Sequence, residues 1–426
     1  MIAGNAGAGS PTSELTGGDR SPHSSVRVLG ILALLLGFAS ISTDLYLPAL
    51  PTMASALHSS AGSMEFTITG YLIGFSLGQL FWGPIGDRFG RRIPIAIGVV
   101  LFVLGSAGCA VAGSATALIV SRFVQACGAC AGVVLARAMV RDLYAGNRAA
   151  QMLSTLMIVM AIAPLLGPLV GGQILALAGW RAIFWTLVGV GIITLGAVLS
   201  LPETLPVASR SKEALTRATS RYAFLLRQRR LMAFSGSAGF YYAGTFAYVA
   251  GSPFAYIDYH HVPAQFYGLI FGAGIVGIMA FNFANARLVQ RFGVERMLTS
   301  GAWIAALAGI AAGVDAWNGW GGVLGLALPL FGFVAVTGWI VANSVAGALA
   351  DHPEQAGAAS ALVGAIQYGA GIFGSALVGM FADGTPRPMA IVVAVSGIGC
   401  LACAALLPDR NPTPAPGRRA ANALPQ

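Results

Sequence analysis

Gly83-Pro-Ile-Gly-Asp-Arg-Phe-Gly-Arg-Arg92 is the stretch on which the reading of this chain turns. It is a charged block of one acid and three arginines between two long apolar runs, near residues 63–83 and 94–113. Each run has the length that crosses about 30 Å of hydrocarbon, so the pair reads as a helical hairpin through a membrane, with its turn on the positive side. The glycines permit a tight turn and close helix approach. Asp87 can pair with arginines, or face a helix N-terminus, in one state and release in another.

Extending the same reading outward gives twelve spans, near residues 27–47, 63–83, 94–113, 116–138, 150–172, 180–201, 232–254, 266–286, 298–315, 322–347, 356–380 and 389–407. Composition agrees: 56% of the 426 residues are apolar and 9% charged, whereas a soluble domain carries about 25% charged residues. The net charge of +9 could suggest nucleic acid, but the placement of the charges marks topology instead. With residue 1 in the cytoplasm, 21 of the 24 basic residues fall on that side, Arg181 and Arg387 fall outside, and Arg122 lies within a span. Both termini are therefore expected in the cytoplasm. The loop at residues 348–357 should be inside yet holds no basic residue.

The expected organisation is a cytoplasmic tail (1–25), a six-helix bundle (26–201), a basic cytoplasmic linker (202–231), a second six-helix bundle (232–407) and a second tail (408–426). The Gly, Ser and Pro content of the tails predicts disorder, and the first apolar run is expected to be retained. A repeat supports the division: Arg88-Phe89-Gly90 follows the second span and Arg291-Phe292-Gly293 the eighth. Parallel halves related by an axis along the membrane normal are a known transporter architecture. The fold expected is an all-α polytopic membrane protein, with twelve helices in two pseudo-symmetric bundles.

Absences narrow the function. The chain has one lysine, Lys212, and no Gly-rich phosphate loop to go with it, so ATP is not its energy source. No His-Glu-x-x-His occurs, and the five histidines fall in tails or loops. Cys127-x-x-Cys130 and Cys400-x-x-Cys403 lie in apolar helices, where cysteine acts as a small hydrophobe. No cofactor, metal site or enzymatic activity is expected.

Two ionisable residues lie inside spans: Asp44 in Ile41-Ser-Thr-Asp-Leu-Tyr-Leu-Pro48, and Arg122 in Leu118-Ile-Val-Ser-Arg-Phe-Val-Gln125. Such groups usually mark an ion or substrate pathway. Asp44 lies roughly 25 Å along an outgoing helix from Arg27 at 1.5 Å per residue, and Arg122 is early in an ingoing one, so both should share the outer half of the membrane. Desolvation and a nearby guanidinium act oppositely on a carboxyl. Changing the separation of the pair would load and unload a proton.

The loop quoted first resembles the signature of the major facilitator superfamily, Gly-x-x-x-Asp-Arg-x-Gly-Arg-Arg. The resemblance implies a conformational gate of Gly83, Asp87, Arg88, Gly90, Arg91 and Arg92, with Arg141 and Asp142 at the inner end of the fourth span and Arg291 in the repeat. Arg122 to Gln125, with Gly128 and Gly132, is similar to the superfamily's second motif, whose arginine is associated with proton coupling. Ala163-Pro-Leu-Leu-Gly-Pro-Leu-Val-Gly-Gly172 resembles the motif of drug and proton antiporters, carried here by Gly167, Pro168, Gly171 and Gly172.

Ser42 to Pro51, Ser252-Pro-Phe-Ala-Tyr256, Gln265-Phe-Tyr-Gly268, Asn285-Ala-Arg-Leu288 and Ala356-Gly-Ala-Ala-Ser-Ala-Leu362 look like the bicyclomycin-resistance (Bcr/CflA) drug exporters. Ala342, where that family usually has Pro, leaves the bend of the tenth helix open. The resemblance implies proton-driven efflux of small amphipathic compounds across the bacterial inner membrane by alternating access, by a monomer. Proton-coupled uptake or metabolite export on the same fold is the alternative, and a non-transporting receptor or scaffold a distant one. Expected cavity contacts are Tyr46, Tyr71, Gln125, Tyr241, Tyr242, Asn343 and Gln367; Glu65 and Asp258 are expected as vestibule charges.

Overall fold

The computed structural model describes residues 22–144, 146–210, 224–351 and 356–407. Most of the expected tails, residues 211–223 of the expected linker and part of the neutral loop at 348–357 lie outside them. Twelve long helices cross the molecule: α1 (Pro22–Asp44), α2 (Ala61–Phe89), α3 (Arg92–Val111), α4 (Ala115–Leu143), α5 (Gly146–Ala178), α6 (Trp180–Leu199), α7 (Arg229–Pro253), α8 (Ala264–Phe292), α9 (Val294–Asn318), α10 (Gly322–Ala335, continued by Asn343–Ala350), α11 (Ala356–Met380) and α12 (Arg387–Ala405). Among the described residues nine stretches are long and apolar enough to cross a membrane. The other three fall in α2, α5 and α7; α2 and α7 are diluted by Gly, Ser, Thr and Tyr, which suits helices that line the middle of a bundle rather than face lipid.

Local signals place the ends. Ser60 and Ser114 cap α2 and α4 by accepting from the backbone N–H of Ser63 and Ala117, satisfying donors that a helix start leaves free. Gly90 and Gly293 end α2 and α8 at φ +94° and +83°, a region open to glycine at no steric cost. The Arg-Phe-Gly repeat is thus a repeated helix stop.

Helices α1–α6 pack on one another, as do α7–α12. The two sets meet along two seams, α2 against α11 and α5 against α8, the pairing that an axis through the centre requires. The face where α1 starts and α12 ends carries most of the arginines and is called the basic face below. At the opposite face the seams are shut: a Cβ on Gly62 would lie 2.3 Å from the Gly379 carbonyl oxygen, and one on Gly268 2.6 Å from the Leu169 nitrogen. Thr69 and Ser375 share a hydrogen bond of 2.9 Å across the α2–α11 seam.

Two helices are broken where a proline or a close approach demands it. After Pro253, α7 runs into a π turn, Phe254–Tyr259. In α10 a second π turn, Gly338–Ala342, interrupts the α-helix at the place where Ala342 had left a bend open. Gly338 lets α8 approach closely there, since a Cβ would sit 3.2 Å from the Asn282 Cα and displace the Asn282 side chain.

Candidate functional site

Asp44 is the last residue of α1 and is 7% exposed. The turn before it is held by its own hydroxyls: Ser42 donates to the Phe38 carbonyl at 2.5 Å and Thr43 to that of Ala39 at 2.7 Å. A carboxylate at a helix C-terminus opposes the helix dipole, so its place is not a capping one. Helix α5 explains how this end is buried. Built Cβ atoms on Gly167 and Gly171 would lie 2.9 Å from the Asp44 Cβ and 1.8 Å from the Leu45 carbonyl oxygen, while one on Gly172 would touch Ala264 and Gln265 of α8. One glycine face of the Gly-Pro-x-x-Gly-Gly segment packs on Asp44, and the next glycine packs on the seam. Pro164 and Pro168 lie inside the same helix.

Arg122 of α4 is wholly buried. Its guanidinium lies between the rings of Tyr46 and Tyr71, at 4.2 and 4.3 Å from their centroids. One nitrogen, Nη1, donates to the Ser42 carbonyl at 2.8 Å and to the Gln125 side-chain oxygen. Gln125 in turn donates to Ser106 at 2.7 Å, Tyr46 bonds Thr67 at 2.9 Å and Tyr71 bonds Ser42 at 2.7 Å. Nε and Nη2 find no acceptor. Asp44 and Arg122 are neighbours in charge, yet no ion pair joins them among the described residues. The cation is held by neutral groups, and the acid turns toward a cavity.

That cavity, of about 730 Å³, lies between the two sets of helices. It runs from Asp44, Thr43 and Tyr71 past Phe75, Tyr242, Phe246, Gln367 and Tyr368 to Gln79, Arg137 and Arg141 near the basic face. Tyr368 gathers the aromatic wall, 5.6 Å from Phe75, 5.9 Å from Tyr242 and 6.3 Å from Phe246 between centroids. Of the seven side chains expected there, Tyr71, Tyr242 and Gln367 line it. The other four lie behind the wall: Tyr46 and Gln125 brace Arg122, Tyr241 donates to the Phe333 carbonyl at 2.8 Å, and Asn343 donates to Asn285 at 2.8 Å. Phe75 and Phe246 were missed, though each stands four residues after an expected tyrosine and so on the same helix face.

At the basic face Arg91 joins the ends of α2 and α4, donating to Asp87 at 2.6 Å and to Asp142 at 2.8 Å. Glu203, beyond α6, was not foreseen. It accepts from the backbone N–H of Arg91 at 2.7 Å, Arg92 at 3.2 Å, Thr204 at 3.0 Å and Leu205 at 3.1 Å. Partial burial raises its pKa, but these four donors outweigh it and hold the carboxyl below the usual range. Arg92 donates to the Leu199 carbonyl. Arg88 lies over Phe89, Gly83 faces open space, Arg141 turns to the cavity and Arg291 lies over Phe292. In α7–α12 the corresponding knot is built on Arg230, 2.5 Å from both Glu295 and Asp351.

Known proteins carry the same plan. The sequence matches the family description Major Facilitator Superfamily over residues 32–254 and again over 234–425. It is 34% identical over 390 residues, 90% of this chain and 95% of the other, to an uncharacterized MFS-type transporter, YdgK, of Bacillus subtilis (strain 168). It is 32% identical, over 85% of this chain and 91% of the other, to a bicyclomycin resistance protein homolog of Haemophilus influenzae. The fold is shared with the xylose transporter XylE from E. coli in a partially occluded inward open conformation, at TM-score 0.68 and 16% identity over 89% of this chain and 96% of that one. Two six-helix sets around a central cavity, a signature loop between α2 and α3, and a match repeated in each half lead to one conclusion: the chain belongs to the major facilitator superfamily and is a multi-pass membrane transporter of small molecules.

Proposed function

We propose that this transporter exports small amphipathic compounds, antibiotics among them, in exchange for protons, with Asp44 as the proton carrier and Arg122 as its partner. The basic face is cytoplasmic by the positive-inside rule, so the cavity is open inward. The observation that carries the reading is the poised pair: Asp44 on the cavity wall, and beside it a buried cation with two donors free. A guanidinium within hydrogen-bond reach stabilises a carboxylate, and one held off by other acceptors does so far less. Movement of α1 against α4 that brings Asp44 to Nε or Nη2 therefore releases its proton; withdrawal lets it bind one.

The cavity supplies the other half of the exchange. Aromatic faces from both sets of helices, with Gln367, Tyr71 and the two inner arginines, suit ligands of mixed polarity. A compound entering from the cytoplasm meets Asp44 at the cavity's far end and discharges its proton inward. When the seams open outward, a new proton taken by Asp44 loosens the compound. The resistance protein homolog of Haemophilus influenzae supports drugs as the compound class.

The test is reconstitution in liposomes under an imposed proton gradient, with bicyclomycin-like, amphenicol, sulfonamide and cationic dye compounds, beside Asp44→Asn. Compound-driven proton flux that the substitution abolishes is the expected result. Compound movement that ignores the gradient and survives the substitution contradicts the mechanism.

A further inference from the structure

Glu65 has no part in the exchange just described, and its surroundings point to a separate role. It stands on the second turn of α2, near the face opposite the basic one, and is 3% exposed. It was expected as a vestibule charge; the structure instead buries it in the shut seam. Around it lie Gly251 of α7, Phe254 of the π turn, Val378 of α11, Thr385 of the following loop and Met389 of α12, about a cavity of about 10 Å³. That is on the order of the room of a single water. Its Oε2 has no hydrogen-bond donor. Apart from Ala61, one turn before Glu65 on α2, the residues lining this cavity belong to the other set of helices, so closure of this seam is what encloses Glu65.

The charged groups on those elements do not compensate it. Arg387 at the start of α12 is exposed, with its guanidinium 5.0 Å from the Trp317 ring. Asp258 on the π turn is exposed and acidic. Asp383 on the α11–α12 loop is the charge that Glu65 does feel, and it is of the same sign. No ion pair to Glu65 occurs among the described residues. A carboxylate with an oxygen enclosed without a donor, and with no counter-ion, is costly to keep charged, whereas a neutral carboxylic acid does not carry that cost.

We propose that Glu65 is a second proton-binding site, one whose proton is taken from and returned to the outer side and locks the outer seam shut. Closing the seam takes up the proton; opening it exposes the carboxyl to water and lets the proton leave the way it came. This proton is never carried across. External acid thus drives the molecule toward the inward-open state independently of Asp44. The inference rests on the orientation and alternating access proposed above.

The test reads the outer seam directly. Spin labels on cysteines placed at Ser55 and Asn318, with the five native cysteines replaced by alanine, report the separation of the two sets by pulsed electron resonance between pH 5 and pH 9. Every protein carries Asp44→Asn, so the carrier proton does not contribute. With Glu65 present, the ratio of closed to open seam rises by about tenfold or more on acidification, since one linked proton gives up to tenfold per pH unit. With Glu65→Gln and with Glu65→Leu the seam stays closed across the range, and the pH dependence disappears in both. A pH response in either variant equal to that of the parent overturns the proposal, as does a parent with no response. Neither outcome bears on proton carriage by Asp44, which the liposome flux measures separately.

Discussion

The two sets of helices share a plan and differ in what they bury. Four charged side chains are buried among the described residues, Asp44, Glu65, Arg91 and Arg122, and all four belong to the first half of the chain. In α7–α12 the buried polar side chains with no ring are Ser, Asn and Gln, among them Ser252, Asn285, Asn343 and Gln367. Two of the four, Asp44 and Glu65, are carboxyls, whose charge can change at a cost that depends on their surroundings. The second half offers neutral hydrogen-bonding groups. Fold symmetry, in this molecule, is not symmetry of chemistry.

Arg122 offers the largest break in that asymmetry. Arg122→Leu removes the buried cation and leaves the Ser42 carbonyl and the Gln125 side-chain oxygen without their donor, a loss of about 1–3 kcal/mol, on the order of 10- to 100-fold in the equilibrium between carrier states. Arg122→Lys keeps the charge without the planar fork that fits between two rings. Compound-driven proton flux in liposomes should fall by that order in the first variant and remain deeply reduced in the second. Full flux in Arg122→Lys would mean that charge alone suffices.

Matched glycines in the two halves touch different neighbours. Gly171 meets the Leu45 carbonyl oxygen at 1.8 Å from a built Cβ, and Gly374 meets that of Ala243 at 2.0 Å. Replacing either by alanine overpacks a helix contact, at about 1–3 kcal/mol, and should lower the Tm of both variants alike. Only Gly171→Ala, which pushes α5 off the Asp44 segment, should lower the number of protons moved per compound. Equal ratios in the two variants would detach the antiporter motif from the proton.

Asn343→Ala is a smaller change, confined to the neutral half. It strands Asn285 and costs about 1 kcal/mol, read as a lower Tm, while the proton ratio stays at the parent value. Smallest is Glu203→Gln at the basic face. The lowered pKa of Glu203 means that its contribution to stability is complete above the ordinary glutamate value of about 4.3 and is lost as pH falls through the native value. The Tm difference between parent and variant should therefore be constant from pH 6 to 8 and close below about pH 4. A difference that grows on acidification would reverse the sign.

Much of the fold was readable because a bilayer permits few solutions: span length, arginine placement and the Arg-Phe-Gly repeat led directly to twelve helices in two sets. The site was readable in part. Asp44 and Arg122 stand out as charges in apolar runs, but spacing along separate helices cannot report that Ser42 and Gln125, rather than Asp44, hold the guanidinium. Tyr46, Tyr241 and Asn343 point behind the cavity wall because helix rotation is set by neighbours that no single segment names. Glu203 lay in a loop with no periodicity, and its value comes from four backbone N–H groups, which leave no trace in residue identity. Glu65 looked like a vestibule charge because its distance from the helix end was visible and the seam that covers it was not.

Exchange of the Asp44 proton for the transported compound can be followed by adding a transported compound to the purified protein in weakly buffered detergent and recording the release of protons with an indicator dye. About one proton per bound compound from the parent, and none from Asp44→Asn that still binds the compound, is the predicted result. Equal release from both proteins, or none from the parent, would contradict it.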